Sequence, residues 1–201
     1  MDLLIKYQPR SLSDIVFPKD LREKISALSN SDLPFPYLLT GQTGTGKTIT
    51  AKVLREETYF LNCLTGCSDS DLRQLELSIS SVSLSGTRRM VILDDVDHMT
   101  SKNQLHLKSI LDKFTVNNDF IMTAAEPFRI RKEIRSRVQA IDFEFTKSRE
   151  FSEAIFNWLM NIGKQEGLAD LDPIDVTRII AKSYPDFRKM LRSFHEQFLL
   201  T

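Results

Sequence analysis

Gly41-Gln42-Thr43-Gly44-Thr45-Gly46-Lys47-Thr48 is the stretch that decides the fold of this chain, and three of the chain's seven glycines fall inside it. Its spacing is G-x-x-x-x-G-K-T. The run Pro36-Tyr37-Leu38-Leu39-Thr40 before it reads as a strand, and a helical pattern follows over residues 47 to about 57. Glycines let such a loop turn its backbone N–H groups inward, and a helix N-terminus behind the loop adds positive potential, so the stretch suits a phosphate chain. In that geometry Lys47 reaches the β- and γ-phosphates of a nucleotide, and the Thr48 hydroxyl holds Mg²⁺. Thr43, Gly44, Thr45, Gly46 and Ile49 complete the predicted cradle.

Downstream, Met90-Val91-Ile92-Leu93-Asp94-Asp95-Val96-Asp97 reads as a buried strand ending in acids. This is the second half of a P-loop site, with Asp94 placed to hold Mg²⁺ through water. Asp95 stands where the acid that orients attacking water belongs. Many such ATPases carry Glu there; Asp is one methylene shorter and falls short of the reach of about 3 Å that a base requires. The plain alternative is an acidic loop after a strand.

Further strand-like runs lie at residues 59–62, 120–124 and 140–145. Helical patterns cover 69–83, with apolar residues at 72, 75, 79 and 82, and 103–114. Strands separated by helices imply an α/β fold: a five-stranded, mostly parallel sheet with helices on both faces. After Thr146 the texture is helical to the end, broken at 163–168, at Asp172-Pro173 and at Tyr184-Pro185-Asp186. These are three expected helices, with Ser148 and Asp172 as N-caps and Asp186 in a first turn behind Pro185. The predicted organisation is a nucleotide-binding domain over 1–146 and a small three-helix domain over 147–201.

Lys+Arg and Asp+Glu both number 27, so the chain is neutral overall, which argues against a protein that coats nucleic acid by itself. No apolar run approaches the 18 or so residues of a membrane helix, and Met1–Lys6 lacks the features of a signal peptide. The expected location is a reducing cytoplasm. Cys63 and Cys67 are too widely spaced for a C-x-x-C pair, and the histidines are scattered at 98, 106 and 195, which gives zinc or redox chemistry little support.

Several other stretches have a family order. Lys6-Tyr7-Gln8-Pro9-Arg10 with Asp14-Ile15-Val16, then Ser136-Arg137-Val138, then Tyr184-Pro185-Asp186-Phe187-Arg188-Lys189 join the two nucleotide motifs across residues 6 to about 192. In this order the chain resembles the AAA+ subunits of clamp loaders. The nearest likeness is to the small ATPase subunit of T-even-type phage loaders, kin of replication factor C and the bacterial γ subunit. The resemblance implies a P-loop AAA+ module with a helical lid, ATP and Mg²⁺ as cofactors, and ATP-dependent loading of a polymerase sliding clamp onto primer-template DNA. It implies other clamp-loader subunits, the clamp and DNA as partners, and no membrane.

Residue roles follow from the same resemblance. Tyr7, Pro9, Ile15 and Val16 would form the adenine pocket, although Tyr7 reads equally as a core aromatic. Arg137 would be an arginine finger that serves a neighbour's γ-phosphate in trans; Arg188, opening the last helix, would sense the γ-phosphate in cis. Lys108 stands where the family usually has an arginine that couples the active site to clamp and DNA. The helix at 69–83 would face the clamp. Apart from the resemblance, Arg88, Arg89 and Lys102 flank the third strand and the helix after it, where a solvated face is the plain reading and contact with phosphates the alternative.

The chain also departs from the pattern. Gln8 replaces an arginine and Val138 a cysteine. Counting back the family's spacing of about eleven residues from Ser136 lands on Ala125, where a polar sensor belongs, so Thr123 or Glu126 substitutes or the sensor is missing. Together with Asp95, this points to slow hydrolysis. The collar domain that clamp-loader subunits usually carry has no counterpart before Thr201. Two alternatives stay open: a non-hydrolysing ATP-binding subunit that lends Arg137 to a neighbour, and a helicase-loader type of AAA+ ATPase.

Overall fold

Five apolar stretches form the sheet: β1 (Tyr37–Thr40), β2 (Thr58–Asn62), β3 (Arg89–Asp94), β4 (Asn118–Ala124) and β5 (Gln139–Asp142). They lie in the order β2-β3-β4-β1-β5, and every pairing is parallel. β4 is buried along its whole length and β3 over all but its first residue, as expected of parallel strands covered on both faces. The computed structural model describes residues 3–29, 32–55, 58–65, 67–80, 88–168 and 170–199. Among these the helices are α1 (Leu3–Lys6), α2 (Lys19–Ser29), α3 (Lys47–Val53), α4 (Asp69–Ser80), α5 (Ser101–Phe114), α6 (Lys132–Arg135), α7 (Arg149–Gln165), α8 (Pro173–Ser183) and α9 (Phe187–Phe198).

The chain divides into two compact units. One comprises Ser26–Gly41 and Lys47–Phe143 and contains the sheet. Its core joins Leu38, Val91, Leu93, Phe120 and Met122 from the strands to Leu72, Leu75 and Ile79 of α4 and Leu107, Ile110 and Leu111 of α5. These helical positions recur at three- and four-residue intervals, which is one face of an α-helix. The other unit comprises Met1–Ile25, Gln42–Gly46 and Glu144–Thr201. Its core is built from Phe151, Ile155, Leu159 and Ile162 of α7, Val176 and Ile179 of α8, and Met190, Leu191 and Phe194 of α9, with Leu3 added from the N-terminus.

Ser148 and Asp172 cap α7 and α8 as predicted, each side chain accepting a backbone N–H of the first turn. Other details differ from the sequence reading. The predicted helical residues 56–57, 81–83 and 200 lie outside the described residues. Asp186 is itself the N-cap of α9, accepting from Lys189 N at 2.9 Å, so Pro185 precedes the helix. The expected break at 163–168 is present but starts later, because α7 runs on to Gln165. Gly163 is a packing glycine: a Cβ there would stand 2.0 Å from Leu171 Cδ1. β5 ends at Asp142, short of the predicted 145, and α1 and α2 were not anticipated by the pattern.

A buried charge anchors the start of β4. Asp119 is 1% exposed and receives Arg88 Nε at 2.6 Å, Leu33 N at 3.3 Å and Arg55 Nη1. Arg88 also donates to the carbonyls of Thr115, Val116 and Asn118, so this guanidinium ties down the turn between α5 and β4. Asp119→Ala would leave two arginines without their anion. We expect a loss of about 3 kcal/mol in urea unfolding, the low end for a broken buried pair because both arginines keep some solvent contact. A loss under ~1 kcal/mol would show that the group contributes little.

Candidate nucleotide site

The strand order sets the C-terminal ends of β3, β4 and β1 side by side, and open α/β sheets carry their ligands outside such ends. β1 ends in Gly41, whose φ of 133° suits glycine; a Cβ there would approach the Phe143 backbone to 3.0 Å. Lys47 opens α3 with its ammonium buried, donating to Gly41 O at 2.7 Å, so the side chain folds back along its own loop. Thr48 Oγ1 donates to Asp94 Oδ1 at 2.7 Å, and Thr123 Oγ1 donates to the same oxygen at 2.7 Å. Asp94 is 4% exposed and Thr123 fully buried. Thr48 and Asp94 therefore form a pair of hard oxygen donors beside the lysine, a set whose chemistry fits Mg²⁺.

Asp95 departs from ordinary backbone geometry. At φ 56° and ψ 49° it is in the left-handed region, which Asp and Asn enter more readily than other side chains with a Cβ. Its N–H donates to Thr123 Oγ1 at 2.9 Å. Burial raises its pKa above the ordinary carboxylate range, and the neighbouring Asp94 and Asp97 push in the same direction. Asp97 Oδ2 accepts the N–H groups of Ala125 and Glu126 at 3.1 and 2.8 Å, whereas its buried Oδ1 has no hydrogen-bond partner among the described residues. Ala125 thus sits at a well-anchored turn with no polar side chain. Thr123 is the hydroxyl next to the acids, and its single proton goes to Asp94.

In the other unit, the start of α9 meets the loop Gln42–Gly46. Phe187 N donates to Gly44 O at 3.0 Å, and a Cβ on Gly44, whose φ is +82°, would fall 1.9 Å from Asp186 Oδ1. Thr45 is buried and donates to Gln42 O at 2.8 Å, while Thr43 is exposed. Arg188 is exposed on the second residue of α9, next to this contact. Tyr7 packs against the helical core together with Val16, and its hydroxyl donates to Glu166 Oε1 at 2.5 Å. Burial and that carboxylate push the Tyr7 hydroxyl up to about 12. Ile15 is buried and Pro9 half-buried.

Arg137 and Lys108 lie within the sheet unit and converge on one residue that the sequence reading did not single out, Asp112 of α5. Arg137 donates to it from Nε at 2.5 Å and from Nη2 at 3.3 Å, and Lys108 Nζ lies 2.9 Å from it. Gln104, buried on the same helix, donates to Met99 O and Arg129 O and accepts from Arg131 N, linking α5 to the segment that leads into α6. Arg88 is engaged at Asp119, and Arg89 donates to Ser78 O. Both are partners inside the fold rather than a solvated basic face. Lys102 is exposed in the first turn of α5.

A glycine loop closing on a buried lysine, beside an aspartate at the end of a buried strand, defines a P-loop protein. Residues 37–147 match the model of the ATPase family associated with various cellular activities (AAA), and the chain belongs to that family. The chain is 28% identical over 195 residues to the sliding-clamp-loader large subunit of Enterobacteria phage T4, a match spanning 92% of this chain and 61% of that protein. The phage relative is thus named a large subunit, where the motif order suggests the small one. Replication factor C subunit 3 of Oryza sativa subsp. japonica is 28% identical over 200 residues, spanning 92% of this chain and 54% of the relative. The chain therefore spans about half to three fifths of these relatives. A RuvB variant of Thermotoga maritima superposes with a TM-score of 0.73 at 15% identity, spanning 94% of this chain and 64% of that one, which establishes likeness of fold. No helix among the described residues is long and apolar enough to cross a membrane.

The environment of Asp95 yields a pH test. Because its folded pKa is raised, the carboxylate costs stability as pH rises from the ordinary carboxylate range through that raised value. Asp95→Asn removes the charge and keeps a residue tolerant of left-handed φ. It is expected to raise the melting temperature of the nucleotide-free chain at neutral pH by ~2 °C. The gain should shrink as the pH falls below the raised pKa, where Asp95 is protonated. An equal gain at every pH would assign the effect to backbone preference alone.

Proposed function

We propose that the chain is an ATP-hydrolysing subunit of a clamp loader, working with other loader subunits to place a sliding clamp on primer-template DNA. One observation carries the nucleotide half of this reading: Thr48 and Asp94 share a hydrogen bond beside a buried Lys47 at the end of the phosphate-loop strand. The relatives named for clamp loading and for replication factor C support the other half.

On this reading Lys47 leaves its loop carbonyl for the β- and γ-phosphates, and the loop amides from Thr43 to Thr48 hold the remaining oxygens. Thr48 and, through water, Asp94 would hold Mg²⁺, which when bound would neutralise charge on the phosphates. Asp95 takes the attacking water, with Thr123 fixing the orientation of both acids. Arg188 meets the γ-phosphate from the same chain, and Arg137 meets a neighbour's. Tyr7, Pro9, Ile15 and Val16 contact the adenine. Of the basic residues considered for DNA or clamp, Lys102 is exposed, whereas Lys108 is paired with Asp112.

A second reading, a non-hydrolysing subunit that binds ATP and lends Arg137, draws on Asp95 and Ala125. The Thr123 hydroxyl gives its proton to Asp94, which supports this reading because Thr123 then has none for phosphate or water in place of a polar sensor at Ala125.

Turnover by the assembled protein, with clamp and primed DNA present, separates the two readings. Lys47→Ala should abolish or greatly weaken ATP binding and so provide the baseline. Asp95→Glu is expected to raise turnover several-fold at unchanged ATP affinity by restoring reach to the water, with a small stability loss from its left-handed backbone. A fall in turnover would show a site built around the shorter acid. No turnover from either form would favour the non-hydrolysing reading.

A further inference from the structure

Arg137 lies on the turn after α6, partly exposed, yet its guanidinium is already held along one edge. Nε donates to Asp112 Oδ1 at 2.5 Å and Nη2 to Oδ2 at 3.3 Å, a bidentate grip on the side of the fork. Nη1 donates to Glu133 O at 2.6 Å and lies 3.5 Å from Ser136 Oγ, the outer limit of a hydrogen bond. An arginine has five N–H donors. Among the described residues three are directed at Asp112 and Glu133 and a fourth is at the limit of reach of Ser136 Oγ, so Nη2 keeps an N–H at the far end of the fork for a second anion.

The carboxylate is fixed as firmly as the fork. Asp112 Oδ2 also lies 2.9 Å from Lys108 Nζ, one helical turn back on α5. Hydrogen bonds from Arg137 and then Lys108 hold the Asp112 carboxyl below its usual range, so it stays ionised across the working pH. Both partners of Arg137 belong to helices, Asp112 to the long α5 and Glu133 O to the main chain of α6.

We propose that Asp112 is the positioning residue for Arg137, holding the guanidinium by its side edge so that its far end is presented to the γ-phosphate on a neighbouring subunit. This rests on the reading of Arg137 as a finger acting in trans. A free arginine has large rotamer entropy, and fixing it before the phosphate arrives removes that cost from the barrier. Arg and carboxylate match as planar forks, so a shorter or neutral partner cannot substitute fully.

The test has two arms. In the isolated full chain, the ¹⁵N-edited side-chain signal of Arg137 Nε–H should be protected from solvent exchange in wild type and in Asp112→Glu, and lost in Asp112→Ala. Survival of that protection in Asp112→Ala overturns the pairing. In the assembly co-purified with its partner subunits, Arg137→Ala is expected to lower ATP turnover about 10³-fold. Asp112→Ala should lower kcat about ten- to a hundredfold with KM for ATP unchanged, and Asp112→Glu should recover most of it. The double variant Asp112→Ala/Arg137→Ala should turn over no more slowly than Arg137→Ala alone, because Asp112 acts only through the arginine. A wild-type rate in Asp112→Ala, or further slowing in the double variant, overturns the proposal while leaving the finger reading intact. A wild-type rate in Arg137→Ala removes the finger reading itself.

Discussion

One oxygen of Asp94 organises the centre of the sheet unit. A carboxyl group that is 4% exposed is costly unless its lone pairs are met, and here two hydroxyls meet them, from Thr48 at the start of α3 and from Thr123 on β4. The arrangement depends on the strand order, since β4 lies beside β3 and its Thr123 can therefore reach the acid that ends β3. The main chain holds the same point from the other side, with Cys63 N donating to Asp94 O at 2.8 Å beyond β2. Asp95 follows in a left-handed turn whose N–H is caught by Thr123. The conformation of the second acid is thus a consequence of how the first one is held.

What the sequence makes legible is what local spacing determines. The glycine loop, the apolar strands ending in acid and the amphipathic helices each carry a period or a motif, and all five strands were anticipated. The Asp112 grip on Arg137 was not, because a hydrogen bond across 25 positions leaves no periodic trace. Arg88 and Arg89 read as surface charge for the same reason; one is bound to Asp119, 31 positions away, and the other to a carbonyl of α4. Gly163 read as a breaker because glycine commonly is one, whereas here the absence of a side chain makes room for Leu171. Asp186 read as a first-turn acid and is the cap, one position earlier, a displacement within the usual uncertainty of helix ends.

The helical unit has its own organising contact. Gly44 gives its carbonyl to Phe187 N and its vacant Cβ position to Asp186, so the first turn of α9 rests on the phosphate loop and carries Arg188 beside it. Tyr7, held by Glu166, packs on the same helical core. On the proposed reading, base and phosphates would both be sensed by this unit, and nucleotide binding would bear directly on the packing of α9.

Thr48 and Asp94 are proposed as the metal half of a nucleotide site, and calorimetric titration of the chain with ATP, with and without Mg²⁺, tests that assignment. Mg²⁺ is expected to strengthen ATP binding to the wild-type chain, and Asp94→Asn, which keeps the shape but removes the charge, is expected to lose most of that gain while retaining metal-free binding. ATP binding that is indifferent to Mg²⁺ in the wild-type chain, or an Asp94→Asn variant with the full Mg²⁺ effect, would contradict it.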